Sequence, residues 1–127
     1  MGDFRKLKVW QIAKEIAVDT YRLIDQTARL KSDYRLASQM SSSAVSIVSN
    51  IAEGDELDTV KQSLKHFYYS NGSAAELITQ LIVAKEIGYI NSDKADLLID
   101  KCEHVSIMLK KLISARSNFT TAKPLIR

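Results

Sequence analysis

One cysteine, one proline, four glycines and two histidines occur in 127 residues. With a single thiol, Cys102, no disulfide can form within the chain, and a reducing, cytoplasmic setting is expected. The only proline, Pro124, stands near the C-terminus, so nothing upstream forces a break in a long helix. The glycines are scattered, which excludes a glycine-rich phosphate loop. Cys102, His66 and His104 are the only soft ligands. Cys102 and His104 stand two apart, and on a helix they point in different directions, so neither a metal site nor a cofactor is expected. No serine sits in a nucleophile elbow or in a Ser-Lys dyad with a supporting shell. Nothing has the apolar length of a signal peptide or a membrane span. No small-molecule substrate is evident, and no enzyme chemistry is expected.

The most telling gap is in charge. Residues Leu36–Ala52 run LASQMSSSAVSIVSNIA, 17 positions without a charge, in a chain that is 26% charged. A window of that length should carry about four. Six of the residues are serine, yet the periodicity is helical, and an exposed helix normally keeps a charged face towards water. Elsewhere the net charge of +3 is uneven: residues 1–35 carry +3, residues 36–60 carry −4, and residues 92–127 carry +3. Basic ends around an acidic segment can attract phosphates, and equally make an ordinary solvated surface.

What remains reads as four helices. The first is expected from Lys8 to Arg29, with Val9, Ala13, Ile16, Thr20 and Ile24 on one line. The second starts near Ser32 or Asp33, both suitable N-caps, and is expected to stop at Gly54. The third opens at Thr59, with capping-box spacing to Gln62. Its predicted seam is Val60, Leu64, Phe67, Asn71, Ala74, Ile78 and Leu81, and it stops at Gly88. The fourth follows Asn91-Ser92 to about Ser117, along Leu98, Cys102, Val105, Leu109 and Leu112. Short connections make successive helices antiparallel, so the expected fold is an all-α up-down-up-down four-helix bundle. It is a single domain over residues 1–117, with residues 118–127 a flexible C-terminal tail.

On a helical wheel the second segment divides in two. Leu36, Met40, Ala44, Ile47 and Ile51 face the core. Ser38, Ser42, Val45, Ser46 and Ser49 cluster opposite, either as a solvated serine face or as a contact with a sister subunit. Missing Lys, Glu and Arg favour the contact.

SSAVSIVSNIAEG (Ser42–Gly54) closely resembles the Ser-Ile-Pro-Ser-Asn-Ile-Ala-Glu-Gly signature of the 23S rRNA intervening-sequence protein family. FRKLKVWQIA (Phe4–Ala13) and GSAAELITQLIVAKEIGYI (Gly72–Ile90) also agree, so the likeness runs over most of residues 4–90. The resemblance implies a four-helix bundle in a ring-like homo-oligomer, typically a pentamer, with no enzyme activity and an association with ribosomal RNA inferred from gene location. Three departures stand out. Val48 replaces the signature proline and should leave the helix straighter. Ser42 and Ser43 replace a basic pair, and Asp55–Asp58 (DELD) replaces an aromatic, basic loop. The last two remove positive charge where phosphates could bind.

Two further groups of residues are polar. Asn50 and Glu53 share a face of the second helix, and Glu76 and Gln80 share one of the third, near Gly72, where glycine permits close helix approach. Such a polar network fixes register, or pairs carboxylates for acid-base work. Arg5, Lys6, Lys8, Lys110, Lys111 and Arg116 are the candidate nucleic-acid contacts, because helix 1 begins where helix 4 ends. Ordinary solvated cations, favourable at a helix C-terminus, are the other reading. The leading expectation is therefore a non-enzymatic oligomeric scaffold associated with ribosomal RNA or ribosomes. The alternative is a protein–protein assembly module without nucleic-acid contact.

Overall fold

Asp3 caps a short 3-10 turn, Phe4–Lys6, by accepting from the Arg5 backbone N–H at 3.0 Å. From there the computed structural model describes residues 2–122 as helices joined by short links. They are α1 (Lys8–Gln26), α2 (Ala28–Ser32), α3 (Tyr34–Glu56), α4 (Val60–Glu86) and α5 (Ser92–Ala122). No strand occurs among the described residues. The expected first helix is thus two. Thr27 takes an extended conformation (φ −119°, ψ 99°) and breaks it. The break redirects the chain so that Leu30 enters the core fully buried, and Arg29 stacks 5.0 Å from the centre of the Tyr89 ring.

Asp33 caps α3 by accepting from Leu36 N–H at 3.2 Å, and its other oxygen accepts from Tyr89 Oη at 3.1 Å. That bond holds the Tyr89 phenol above its ordinary pKa, because the neutral form is the donor. Thr59 caps α4 through Gln62 N–H. Gly88, at φ +82°, ends the α4 region in the left-handed conformation that glycine adopts without strain. α5 continues to Ala122, five residues into the expected tail, and residues 123–127 lie outside the described residues.

The four long helices enclose one core. α1 packs on α3 and α5, and α4 packs on α3 and α5. Val9, Ala13, Ile16 and Thr20 line it from α1, and Met40, Ala44, Ile47 and Ile51 from α3. Leu98, Cys102, Val105 and Leu109 line it from α5, followed by a buried Ile113, with Leu112 only half-buried. On α4 the buried stripe is Ser63, Phe67, Ser70, Ala74, Leu77 and Leu81, rotated from the expected seam, with Leu64, Asn71 and Ile78 only half-buried. Serine takes those inward positions because each hydroxyl finds a carbonyl on α3. Ser63 Oγ donates to Gly54 O at 2.6 Å, and Ser70 Oγ donates to Ile47 O at 2.7 Å. The partners run in opposite directions along the two helices, so α3 and α4 are antiparallel.

Gly54 does not end its helix. α3 continues to Glu56, unbroken through Val48, and Gly54 serves close approach instead. A Cβ there would lie 2.6 Å from Phe67 Cε1 and 3.1 Å from the Ser63 carbonyl oxygen. Asp55 and Glu56 therefore belong to the last turn of α3, and the link to α4 is Leu57–Thr59.

Candidate assembly surface

On α3, Ser38, Ser42, Val45 and Ser49 are exposed, and Ser46 is half-buried against α4. Between the exposed charges Arg35 and Glu53 this helix presents no ionised group over about 27 Å, at ~1.5 Å per residue. Across the groove, α4 exposes Tyr68, Tyr69, Ile82 and Val83. Two adjoining hollows run along the α3–α4 groove. One is lined by Ser46, Asn50, Tyr68, Tyr69, Gly72, Ser73 and Glu76. The next is lined by Leu36, Gln39, Glu76, Thr79, Gln80 and Val83, among others.

A chain of polar groups lines this groove. Ser46 Oγ lies 2.8 Å from Ser73 Oγ, and Asn50 Nδ2 donates to Ser46 Oγ at 3.1 Å and to Ser46 O at 2.9 Å. His66 Nδ1 lies 2.9 Å from Asn50 Oδ1 and 2.9 Å from Glu53 Oε2. Both neighbours are acceptors, so Nδ1 carries the proton. Asn50 and Glu53 are thus joined through His66, which sequence reasoning weighed only as a metal ligand. Its position 13 residues beyond Glu53 gave no local signal; the link depends on how α3 and α4 are registered. Glu76 and Gln80 lie farther along. Glu76 is exposed, and Gln80 Oε1 is enclosed without a hydrogen-bond partner among the described residues. No atom stands within 4 Å of a Cβ placed on Gly72. Among the described residues no neighbouring helix uses the close approach that glycine permits there.

The candidate basic residues divide. The N-terminal turn packs on α1 and α3, and the charge of Glu56 at the end of α3 acts on Arg5. Arg116 Nη2 donates to Asp55 Oδ1 at 2.9 Å and its guanidinium lies over Phe67, 5.5 Å from the ring centre. Its role is to close α5 onto α3 and α4. Arg5 is held by Asp3 at 2.8 Å. Lys6, Lys8, Lys110 and Lys111 are exposed. Burial pushes the Cys102 thiol up to about 12, which keeps it neutral and unreactive. Among the described residues no three His, Cys, Asp or Glu side chains converge to hold a metal ion. No helix among them is long and apolar enough to cross a membrane.

The model of the family described as 23S rRNA-intervening sequence protein matches residues 5–111. The chain belongs to that family. Among solved structures, this family member is similar to a protein of unknown function from the S23 ribosomal protein family of Bacteroides thetaiotaomicron. The TM-score is 0.78 at 18% identity, over 83% of this chain and 97% of that one. At that identity the likeness concerns the fold. No curated protein matches.

Proposed function

We propose that this 23S rRNA-intervening sequence family protein is a non-enzymatic, cytoplasmic scaffold that self-assembles through its α3–α4 face. The subunit is read as an up-down-up-down four-helix bundle and the assembly as a homopentamer, in keeping with the family resemblance. The single observation that carries the reading is the charge-free outer face of α3, on which Ser38, Ser42, Val45 and Ser49 all remain exposed in one subunit. A soluble helix face normally carries Lys, Glu or Arg. This one carries small side chains beside exposed tyrosines, and small side chains let another backbone come close. Hydroxyl-radical footprinting tests it directly. Tyr68 and Tyr69, more than half exposed in the single subunit, become protected as concentration rises. Labelling that is independent of concentration contradicts the reading.

The family description favours a second role, contact with ribosomal RNA. Lys6, Lys8, Lys110 and Lys111 are the cations this reading uses, with Arg5 and Arg116 held by carboxylates. Four neutralised phosphates make affinity fall roughly a hundredfold between about 50 and 200 mM salt. Filter binding of a structured RNA at those two concentrations checks it. No retention at the lower salt removes the RNA role and leaves the protein–protein assembly module.

A further inference from the structure

The side of the molecule built from α1 and α5 carries a second groove, of about 290 Å³, lined by Asp19, Arg22, Leu23, Lys94, Leu97 and Leu98 with Gln26 and Lys101. Leu23 and Leu98 form its buried floor. Leu97 is different: it stands out at the edge, 66% exposed. It belongs neither to the core nor to the half-buried side chains packed against it. Lys101 is engaged by Asp19 at 2.9 Å and by Glu15 at 3.7 Å, which uses the one carboxylate lining the groove. Arg22 and Lys94 are exposed, and neither forms an ion pair among the described residues. The patch is therefore a projecting apolar side chain with positive charge beside it.

The α3–α4 groove has the opposite form. Gly72 leaves an open notch, flanked by Tyr68, Tyr69 and Ser73, and Glu76 stands one turn further along α4. A glycine in the middle of an exposed helix is unfavourable relative to alanine, and no contact within the subunit explains this one. Lys94 and Leu97 are separated by about 4.5 Å along α5, and Gly72 and Glu76 by about 6 Å along α4. A lysine side chain spans the difference.

We propose that the occupant of the Gly72 notch is Leu97 of a second copy of this chain, with Lys94 of that copy paired to Glu76. The proposal rests on the assembly reading above and specifies its other half. Because α1 packs chiefly on α3 and α5, and α4 packs chiefly on α3 and α5, the α1–α5 side lies across the bundle from the α3–α4 side. A contact between two different faces of identical subunits is head-to-tail, and it propagates into a closed ring or a filament rather than stopping at a two-fold dimer. The fit is knob into hole with complementary charge, and both halves are found on one sequence. An acidic partner protein could meet the same cations, but it would not explain the notch at Gly72.

The test is sedimentation of the full chain and its variants across a concentration series, with thermal melts to confirm folding. Leu97 is exposed and Gly72 has open space around it, so Leu97→Asp and Gly72→Leu leave the fold intact. Each is expected to yield folded 14.3 kDa subunits under conditions where the unchanged chain assembles. Lys94→Glu raises the dissociation constant at least tenfold at low salt, and the double exchange Lys94→Glu/Glu76→Lys brings it back to within about threefold. Assembly unaffected by Leu97→Asp and Lys94→Glu overturns this pairing while leaving self-assembly through the α3–α4 face in place. An unchanged chain that stays at 14.3 kDa overturns both.

Discussion

Arg116 reaches from α5 to Asp55 in the last turn of α3, Nη2 to Oδ1 at 2.9 Å, and seals a carboxylate that is only 6% exposed. The two members are not equivalent. The arginine side chain retains 30% of its exposure, whereas the aspartate side chain retains 8%. Removing the cation strands a buried charge, while removing the carboxylate leaves a guanidinium that can turn to water. Arg116→Ala is expected to lower stability by about 2–4 kcal/mol, and Asp55→Asn by clearly less. Urea denaturation of both variants checks the order, and equal losses would contradict it.

Two glycines on facing helices have opposite meanings. Gly54→Ala puts a methyl group 2.6 Å from the Phe67 ring and 3.1 Å from a backbone oxygen. The helix gains about 1 kcal/mol of propensity, but relief of the clash costs about 1–3 kcal/mol, so the net change is destabilising. Gly72→Ala meets nothing within 4 Å. It should stabilise the isolated subunit by about 0.5–1 kcal/mol. Chemical denaturation at concentrations low enough to keep subunits apart compares the two, and a stabilising Gly54→Ala would refute the packing described.

Cys102 makes a pH prediction. Its thiol titrates at 9.0 when unperturbed and at about 12 in the fold, where burial disfavours the thiolate. The folded chain holds the proton more tightly, so the contribution to stability is complete below about pH 9 and is lost as pH rises towards 12. The difference in thermal midpoint between the unchanged chain and Cys102→Ala is therefore constant up to about pH 8 and shifts against the unchanged chain above about pH 9. A thiol reagent at about pH 8 should modify Cys102 only when denaturant is present. Rapid native labelling contradicts its burial.

Most helices were legible because their apolar positions recur at helical spacing and their caps, Asp33 and Thr59, are strong local signals. The break at Thr27 was not, since a threonine inside a periodic segment carries no stop signal and the extended conformation is imposed by docking Leu30. The buried face of α4 departs from its expected seam for a related reason. Ser63 and Ser70 look solvent-facing until α3 supplies carbonyl oxygens to receive their hydroxyls. Gly54 follows the same logic: the sequence shows a glycine near a helix end, and only Phe67 on the next helix reveals that it serves contact. Among the candidate site residues, Arg116 reads as one more surface cation until Asp55 is brought beside it. His66, the link between Asn50 and Glu53, depends wholly on helix register.

Mass under native conditions puts the central claim to the plainest test. The chain, held at low micromolar concentration in near-physiological salt, is expected to fly as a multiple of 14.3 kDa, with five copies in the proposed ring. Ser42→Glu, which plants a charge in the middle of the bare α3 face, should reduce it to folded single subunits. A wild-type particle of 14.3 kDa, with Ser42 and Ser49 open to water, contradicts the account.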